Sequence, residues 1–357
     1  MDIAFEELLE ELIKRKGSDL HISAGSPPRV RVDGALKPLN IESMKPEDTQ
    51  KLVYSILTSS QVARFERELE LDFSFGIPGT GRFRGNIFLQ RGSVGAVFRV
   101  IPFDVMSVKK LGLPQKLVER LCMLPKGLVL VTGATGSGKS TTLAAMLDYI
   151  NNTRDDHVIT IEDPIEFVHK NKRCLFNQRE IGSDTMSFGG ALRSALREDP
   201  DVVLIGEMRD KETVESALTI AETGHLTFGT LHTSDCAQTI NRIIDIFPSH
   251  QQNQIRTQLS FTLQAVFCQQ LLPRVGGDGR AMVAEIMVAN SAIRALIREG
   301  KVHQIMSSIQ TGGNLGMKTM NQSLADVYLS GIVSYEEVLA RSTDAEDLKR
   351  QLQQRAG

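Results

Sequence analysis

The sequence predicts an α/β fold in which a parallel sheet is covered by helices on both faces. The prediction depends on dense apolar segments, which read GLVLVTG, HVITIED, DVVLIGE and HLTFGTLH. Helical patterns separate these segments near residues 139–152, 187–198 and 210–223. Strands with few polar interruptions, alternating with helices, are typical of parallel sheets that are buried on both faces.

The first hundred residues alternate more regularly between apolar and polar side chains, which predicts a smaller α+β domain. The patterns, in order, are a helix over 3–16, short strands around Leu20 and Val30, a helical stretch over 46–68 and antiparallel strands over 70–102. Turns are expected at Asp33-Gly34 and at Gly79. We therefore predict an N-terminal domain over residues 1–100 and a linker over residues 101–114.

The remaining residues, 115–357, are predicted to form a second domain with a helical C-terminal region. Helical stretches are expected at 250–272 and 291–342, with a strand between them at 282–289. In the second of these stretches, Ile293 and Ile297 share one helix face, and Arg294 and Arg298 form a separate basic face. This helix is expected to run from Ser291 to Glu299, with Ser291 as its N-cap.

The composition argues against nucleic acid as a partner. The 357 residues carry a formal net charge of −2, aromatic residues make up 5%, and tryptophan is absent. Neither a general positive field nor base-stacking surfaces are therefore expected. No segment reaches the roughly 18 consecutive apolar residues of a membrane-spanning helix, so we expect a cytoplasmic protein without membrane insertion. The cysteines form no CxxC pair, which argues against a tetracysteine zinc site.

A phosphate-binding loop is the most specific motif in the sequence. Its residues are Gly133, Ala134, Thr135, Gly136, Ser137, Gly138, Lys139 and Ser140. A predicted strand precedes them and a predicted helix follows, which is the context that distinguishes a P-loop from an ordinary glycine-rich turn. We expect ATP and Mg as cofactors, with Lys139 on the β- and γ-phosphates, Ser140 on magnesium and Thr141 as a second hydroxyl.

Carboxylates at the ends of two predicted strands complete the expected hydrolytic site. Glu207 follows DVVLIG and is the candidate for holding magnesium through water. Glu162 follows HVITI and is the candidate for orienting the attacking water, with Asp163 and Glu166 close by in the sequence. The carboxyl ends of parallel strands face the ligand crevice, although solvated acidic turns remain the alternative interpretation of both segments.

Histidines and arginines are weaker candidates when the residues are considered alone. His225 and His232 bracket the apolar segment LTFGTL, where either could sense a γ-phosphate or serve the fold. Arg84 and Arg99 lie among several arginines near the end of the first domain. Phosphoryl transfer needs positive partners, but composition alone favours a solvated strand face.

These motifs together resemble the type II/IV secretion ATPase family, and most closely its PilT-type pilus retraction ATPases. The segments that carry the resemblance are GATGSGKSTT at 133–142, TIEDPIEF at 160–167, ALREDPDVVLIGEMRD at 195–210 and TGHLTFGTLHT at 223–233. They are similar to that family's Walker A motif, Asp box, Walker B motif and His box. The resemblance extends to SDLHISAGSPPRVRVDG at 18–34 and RFRGNIFLQRGSVGAVFRVIP at 82–102.

The resemblance implies a PAS-like N-terminal domain, a RecA-like ATPase domain and a homohexameric ring. It implies Glu162 as the catalytic glutamate, Glu207 as the Walker B glutamate, His225 and His232 as His-box residues, and Arg84 and Arg99 as arginines that reach the nucleotide. Its expected partners are an inner-membrane pilus platform protein and, indirectly, pilin subunits, with the motor peripherally associated with that machine.

Three features favour retraction over extension within this family: the short chain, the missing tetracysteine motif and the segment AIRALIRE at 292–299. That segment resembles the retraction motif AIRNLIRE, with Ala295 in place of the asparagine. An accessory, PilU-like retraction ATPase and an extension or secretion ATPase remain alternatives. From other classes, a nucleic-acid translocase would show salt-dependent DNA binding, and a non-hydrolysing scaffold would release no phosphate.

Overall fold

The chain, for which we obtained a computed structural model, forms two compact units. Residues 4–32, 34–77, 80–101, 105–277 and 279–356 are described. The first unit comprises Met1–Asp104 together with Glu166–Val168, and the second comprises Val105–Ile165 and His169–Gly357. The predicted turn residues Asp33 and Gly79 lie outside the described residues, as do residues 102–104 of the predicted linker.

The first unit is an antiparallel sheet with three helices in its described residues. Its elements are α1 Phe5–Lys14, β1 Asp19–Ile22, β2 Arg29–Val32, β3 Ala35–Pro38, α2 Pro46–Tyr54, α3 Ser59–Glu68, β4 Glu70–Ile77, β5 Gly81–Gln90 and β6 Ser93–Ile101. The strand order is β3-β2-β1-β6-β5-β4. Helix α1 buries Phe5, Leu8, Leu9 and Leu12 in the core of this unit because helical spacing places them on one face.

The helical stretch predicted over 46–68 is two helices rather than one. The second helix, α3, begins directly after Thr58, which is its N-cap. The Thr58 side chain accepts a hydrogen bond from the backbone N–H of Gln61, and the Gln61 side chain accepts one from the N–H of Thr58. This reciprocal capping box satisfies backbone donors at the start of α3. Strand β3, which the sequence analysis did not identify, pairs with β2 at the edge of the sheet.

The second unit is built on a largely parallel sheet. Its elements up to the fifth strand are α4 Gln115–Cys122, β7 Gly127–Thr132, α5 Lys139–Thr153, β8 His157–Glu162, β9 Leu175–Glu180, α6 Phe188–Ala195, β10 Val202–Ile205, α7 Lys211–Glu222 and β11 Leu226–Leu231. There follow α8 Cys236–Asp245, α9 Ser249–Thr262, β12 Leu263–Pro273 and β13 Arg280–Val288. Across the described part of this unit, the strand order is β13-β12-β7-β11-β10-β8-β9. Only the β12–β13 pair is antiparallel among these described strands.

Strand β7 lies inside the sheet between β12 and β11, and its side chains show how the sheet is covered. Leu128 and Leu130 belong to one hydrophobic cluster, whereas Val129 and Val131 belong to a second. Successive side chains of a strand point to opposite faces, so these clusters are the two faces of the sheet. The predicted α/β class, with a parallel sheet covered on both faces, is confirmed.

The prediction of a helix over all of 250–272 is wrong in its second half. Helix α9 ends at Thr262, and Leu263–Pro273 is strand β12, which pairs with β7 on one side and β13 on the other. A short run that is apolar throughout does not distinguish a buried helix from a buried strand. Residues 263–273 are a strand because they are buried between β7 and β13 and pair with both.

Five α-helices and two short 3-10 helices form the C-terminal region over the described residues. The α-helices are α10 Ser291–Arg298, α11 Ile305–Thr311, α12 Met320–Leu329, α13 Tyr335–Arg341 and α14 Ala345–Ala356. The last three pack around a small core that includes Leu324, Val338 and Leu348. Among the described residues, no helix combines the length and the apolar character that a bilayer crossing requires.

Candidate active site

The phosphate-binding loop joins the carboxyl end of β7 to the N-terminus of α5. Gly133 has a φ of 139°, and a Cβ atom there would lie 2.4 Å from the backbone oxygen of Gln269 and 2.6 Å from Ser137 Oγ. A larger residue would therefore collide with strand β12 and with the loop itself. The first turn of α5 begins at Lys139, so its backbone N–H groups and positive helix end are available to an anion.

Lys139 and Ser137 show that the loop is suited to phosphate. The Lys139 ammonium donates to the backbone oxygens of Gly133 at 2.8 Å and Ala134 at 3.0 Å. Ser137 Oγ is buried and has no hydrogen-bond partner among the described residues. An unsatisfied hydroxyl inside a loop of backbone donors fits a phosphate oxygen. Ala134, Thr135 and Gly136 are exposed at the tip, and Ser140 and Thr141 are partly exposed in the first turn of α5.

Two contacts that the sequence analysis missed support the loop from β12 and β13. Gln269 is buried, and its side-chain amide donates to Thr142 Oγ1 at 3.0 Å. Arg280 donates from Nη1 to the backbone oxygen of Gly136 at 3.3 Å. These partners are 127 and 144 residues apart in the sequence, so no local motif could have indicated them.

The carboxyl ends of four neighbouring parallel strands meet at the edge of the sheet that holds the loop. Thr132 of β7 lies opposite Leu231 of β11, and Ile205 of β10 lies opposite Ile161 of β8. The residues that end or follow these strands therefore share one edge, as expected for a ligand crevice in an α/β sheet. The structure brings Glu162, Glu207, His232 and the phosphate-binding loop to this edge.

Glu162 ends β8 and is held by two side chains. Thr160 Oγ1 donates to Glu162 Oε1 at 2.6 Å, and Gln178 Nε2 donates to the same oxygen at 3.3 Å. A Cβ atom at Gly206 would lie 3.1 Å from Glu162 Cα, so the glycine before Glu207 lets the ends of β8 and β10 approach closely. Asp163 and Glu166 have exposed side chains.

Glu207 follows β10 and lies in a cluster of charges. His232 Nε2 is 3.1 Å from Glu207 Oε1, and the Arg209 guanidinium contacts the same oxygen. The hydrogen bond to Glu207 raises the pKa of Arg209. Arg209 was not among the predicted site residues, although it lies two residues after the predicted Walker B glutamate in the segment GEMRD.

His225 does not lie at this edge of the sheet. It precedes β11, and its backbone oxygen accepts a hydrogen bond from the N–H of Gly127, the first residue of β7. His225 is therefore at the opposite end of β11 from His232, about 23 Å away for seven residue steps along the strand. Its ring nitrogen Nδ1 lies 3.0 Å from the backbone oxygen of Ile220.

Arg84 and Arg99 are directly opposite each other on β5 and β6 of the first unit. The Arg84 side chain is 47% exposed, with Nη2 at 3.9 Å from Asp72 Oδ1. Arg99 donates from Nε to Asp19 Oδ1 at 2.8 Å. Burial of Asp19 opposes its ionisation, but hydrogen bonds from Ser18 and Arg99 outweigh this effect and lower the pKa of Asp19. Arg99 thus also has a role in the fold.

Helix α10 differs from its prediction in two respects. Its N-cap is Asn290, not Ser291, because the Asn290 side chain accepts from the N–H of Ile293. Arg294 is not part of a solvated basic face. Its guanidinium donates to the backbone oxygens of Ser260 and Phe261 at 2.6 and 2.9 Å. These are carbonyls in the last turn of α9, and burial lowers the pKa of Arg294. Arg298 is exposed, 6.0 Å from the centroid of the Phe261 ring.

A glycine-rich loop between a central parallel strand and a helix, with glutamates at two nearby strand ends, defines a P-loop ATPase with a RecA-like sheet. The chain belongs to the type II/IV secretion system protein family, whose sequence profile matches residues 2–340.

Three relatives show where the chain lies within this family. The type IV pilus retractation ATPase PilT of Pseudomonas aeruginosa is 53% identical over 336 residues, which cover 94% of this chain and 96% of the relative. A twitching motility protein of Neisseria gonorrhoeae is 49% identical over 90% of this chain and 86% of the relative. A crystal structure of the pilus retraction motor PilT with bound ADP superimposes with a TM-score of 0.91 at 52% identity, covering 98% of this chain and 100% of that chain. The predicted resemblance to pilus retraction ATPases and the predicted ATPase class are confirmed.

Proposed function

We propose that this protein is a motor that hydrolyses ATP to ADP and phosphate to power retraction of type IV pili and depolymerisation of pilin. The observation that supports hydrolysis most directly is the single sheet edge that holds the phosphate-binding loop, Glu162 and Glu207. Similarity along nearly the whole chain to a retraction motor with bound ADP supports both the nucleotide and the pilus system.

Each residue of the edge has a role that its position allows. The loop N–H groups from Gly133 to Ser140 bind the phosphates, and Lys139 exchanges its two carbonyl partners for β- and γ-phosphate oxygens. Ser140 and Glu207 are the residues that would hold magnesium, Glu207 through water. When bound, magnesium supplies positive charge that stabilises the charge developing on the transferred phosphoryl group.

Hydrolysis then requires one base and one leaving group. Glu162 orients a water molecule and accepts its proton as the water oxygen attacks the γ-phosphorus. The bond between the γ-phosphorus and the β,γ-bridging oxygen breaks, and ADP leaves with that oxygen. His232, which is next to Glu207, is positioned to sense the γ-phosphate. His225 lies at the other end of β11, so it could contact a nucleotide only if that nucleotide were bound to another subunit.

The first unit is proposed to be the PAS-like domain that supplies Arg84 and Arg99 to the nucleotide. Arg84 is the cleaner test of this role, because Arg99 also stabilises the buried carboxylate of Asp19. We expect Arg84→Ala to lower ATP turnover by roughly 100-fold or more, as loss of a transition-state charge partner does. Arg91→Ala, at the exposed turn between β5 and β6, should keep normal turnover. Steady-state phosphate release from the two purified variants measures the difference, and equal rates would exclude Arg84 from the site.

The proposed assembly is a homohexameric ring in the cytoplasm, peripherally associated with the inner-membrane pilus machine. ATP hydrolysis would change the angle between the two domains, and the ring would transmit this change to a platform protein that returns pilin to the membrane. Light scattering should give the mass of six chains of 39.4 kDa each. A fully active monomer would contradict the ring.

Deletion of the gene tests the pilus assignment. Cells without a retraction motor should keep or accumulate surface pili and lose twitching motility, and the wild-type gene should restore motility. Loss of pili would instead indicate an extension motor. Loss of motility with retraction still measurable would indicate the accessory type.

Cells in which the gene is deleted, complemented with variant genes, test whether the exposed end of α10 couples hydrolysis to retraction. Arg298 and Phe261 are exposed neighbours, and Phe261 is 63% exposed. We expect Arg298→Ala to leave ATP turnover and assembly intact while abolishing motility. Arg294→Ala is the structural comparison, because it removes a half-buried side chain that caps α9 and should lower the melting temperature. Normal motility with Arg298→Ala would show that this side chain is only solvated.

A further inference from the structure

We propose that Thr160 and Gln178 are positioning residues for the catalytic carboxylate, an assignment that rests on the proposed role of Glu162 as the base. Thr160 and Glu162 are two residues apart on β8, so their side chains lie on the same face of the strand. Gln178 lies on β9 directly opposite Thr160. Strand pairing therefore brings the three side chains together at the end of β8, beside the crevice.

Both side chains donate to one oxygen of the carboxylate. Thr160 Oγ1 is 2.6 Å from Glu162 Oε1, and Gln178 Nε2 is 3.3 Å from it. Hydrogen bonds to a charged acceptor are about twice as strong as neutral ones, and two donors on one oxygen restrict rotation of the carboxylate. The two donors therefore hold the carboxylate in one orientation for the water that it is proposed to activate.

Gln178 also ties the carboxylate to the chain that follows it. The oxygen of the Gln178 amide accepts from the backbone N–H of His169 at 2.8 Å. Since an amide has one accepting and one donating end, this bond to His169 directs the donating end at Glu162. The segment 163–168 lies between the two ends of this bridge, so a displacement of His169 would shift the donor on Glu162.

The side chain of Thr160 does not contact solvent. It is fully buried, and its hydroxyl spans the short distance to Glu162 Oε1. A valine at this position would fill the same volume without the hydroxyl. A serine would keep the hydroxyl and lose a methyl group. These two replacements separate the hydrogen bond from the packing.

The test compares kcat with KM for full-length Thr160→Val and Gln178→Met. We expect kcat to fall about tenfold in each, the effect of losing one hydrogen bond to a charged group, while KM and ATP affinity change less than about twofold, because the base acts in the transition state. Thr160→Ser should retain most of the wild-type kcat. Thr49→Val, which alters a buried threonine bonded to the backbone oxygen of Pro46 in the first unit, is the matched control and should be unaffected.

Combination with Glu162→Gln shows whether the two residues act through Glu162. If they do, adding Thr160→Val or Gln178→Met to Glu162→Gln should lower kcat little further, since effects of residues that act as a unit are not additive. Full additivity, or unchanged kcat in both single variants, would overturn the assignment. A fully active Glu162→Gln enzyme would refute the proposed base instead, so the two failures are distinguishable.

Discussion

Lys139→Ala is expected to abolish ATP hydrolysis. The ammonium of Lys139 lies against the backbone oxygens of Gly133 and Ala134, inside the loop that is proposed to enclose the phosphates. Removing one preorganised charge partner of a transition state costs about 10²–10³ in rate, and Lys139 is the only lysine of the loop. We expect phosphate release to fall by roughly 1,000-fold, the upper end of this range, and nucleotide affinity to fall as well.

The fold of this variant should be retained, because α5 begins at Lys139 and is anchored by its buried residues Leu143, Met146 and Leu147. The melting temperature without nucleotide checks this point. Lys349→Ala is a suitable control, since Lys349 is exposed on α14 and forms an ion pair there with Glu346. Near-normal turnover by Lys139→Ala would refute the assignment of the phosphate-binding loop.

The core of the site could be predicted from the sequence because it is local. Strand β7, the glycine-rich loop and the start of α5 are consecutive, and each has its own pattern: an apolar run, glycines with a lysine, and helical periodicity. The same holds for β8 with Glu162 and β10 with Glu207, where a short buried strand ends at an acidic residue. The direction of parallel strands is sufficient to place these ends at one edge.

The supporting contacts could not be predicted, because they depend on pairing between distant strands. Gln178 contacts Glu162 only because β9, which the sequence analysis did not identify, pairs with β8. Gln269 reaches Thr142 only because residues 263–273 form a strand beside β7, where the sequence analysis expected a helix. A slip of one residue in either pairing would turn these side chains to the opposite face.

His225 and Arg294 show the limit of assigning roles by position in a motif. Both lie in segments that resemble family motifs, yet His225 is at the far end of its strand from the loop, and Arg294 caps α9. A motif gives the order of residues along the chain. The direction of a strand and the partners of a helix end decide which of those residues face a ligand.

Glu162→Gln is expected to separate nucleotide binding from hydrolysis. The substitution keeps the size of the side chain and an oxygen that can accept from Thr160 and Gln178, but it removes the basic carboxylate. A general base contributes chiefly in the transition state, typically by a factor of about 10²–10⁴. We therefore expect ATP affinity to change little, while turnover falls at least roughly 100-fold.

Equilibrium binding of a fluorescent ATP analogue and single-turnover phosphate release, measured on the same preparation, test this expectation. Glu207→Gln is the informative comparison, because Glu207 is at the neighbouring strand end, bonded to Arg209 and His232 rather than to Thr160 and Gln178. Because Glu207 is proposed to hold magnesium, Glu207→Gln should change the magnesium dependence of turnover, whereas Glu162→Gln should not. If Glu162→Gln remained active while Glu207→Gln bound ATP normally without hydrolysing it, the two glutamates would have exchanged roles, and the base would lie at the end of β10.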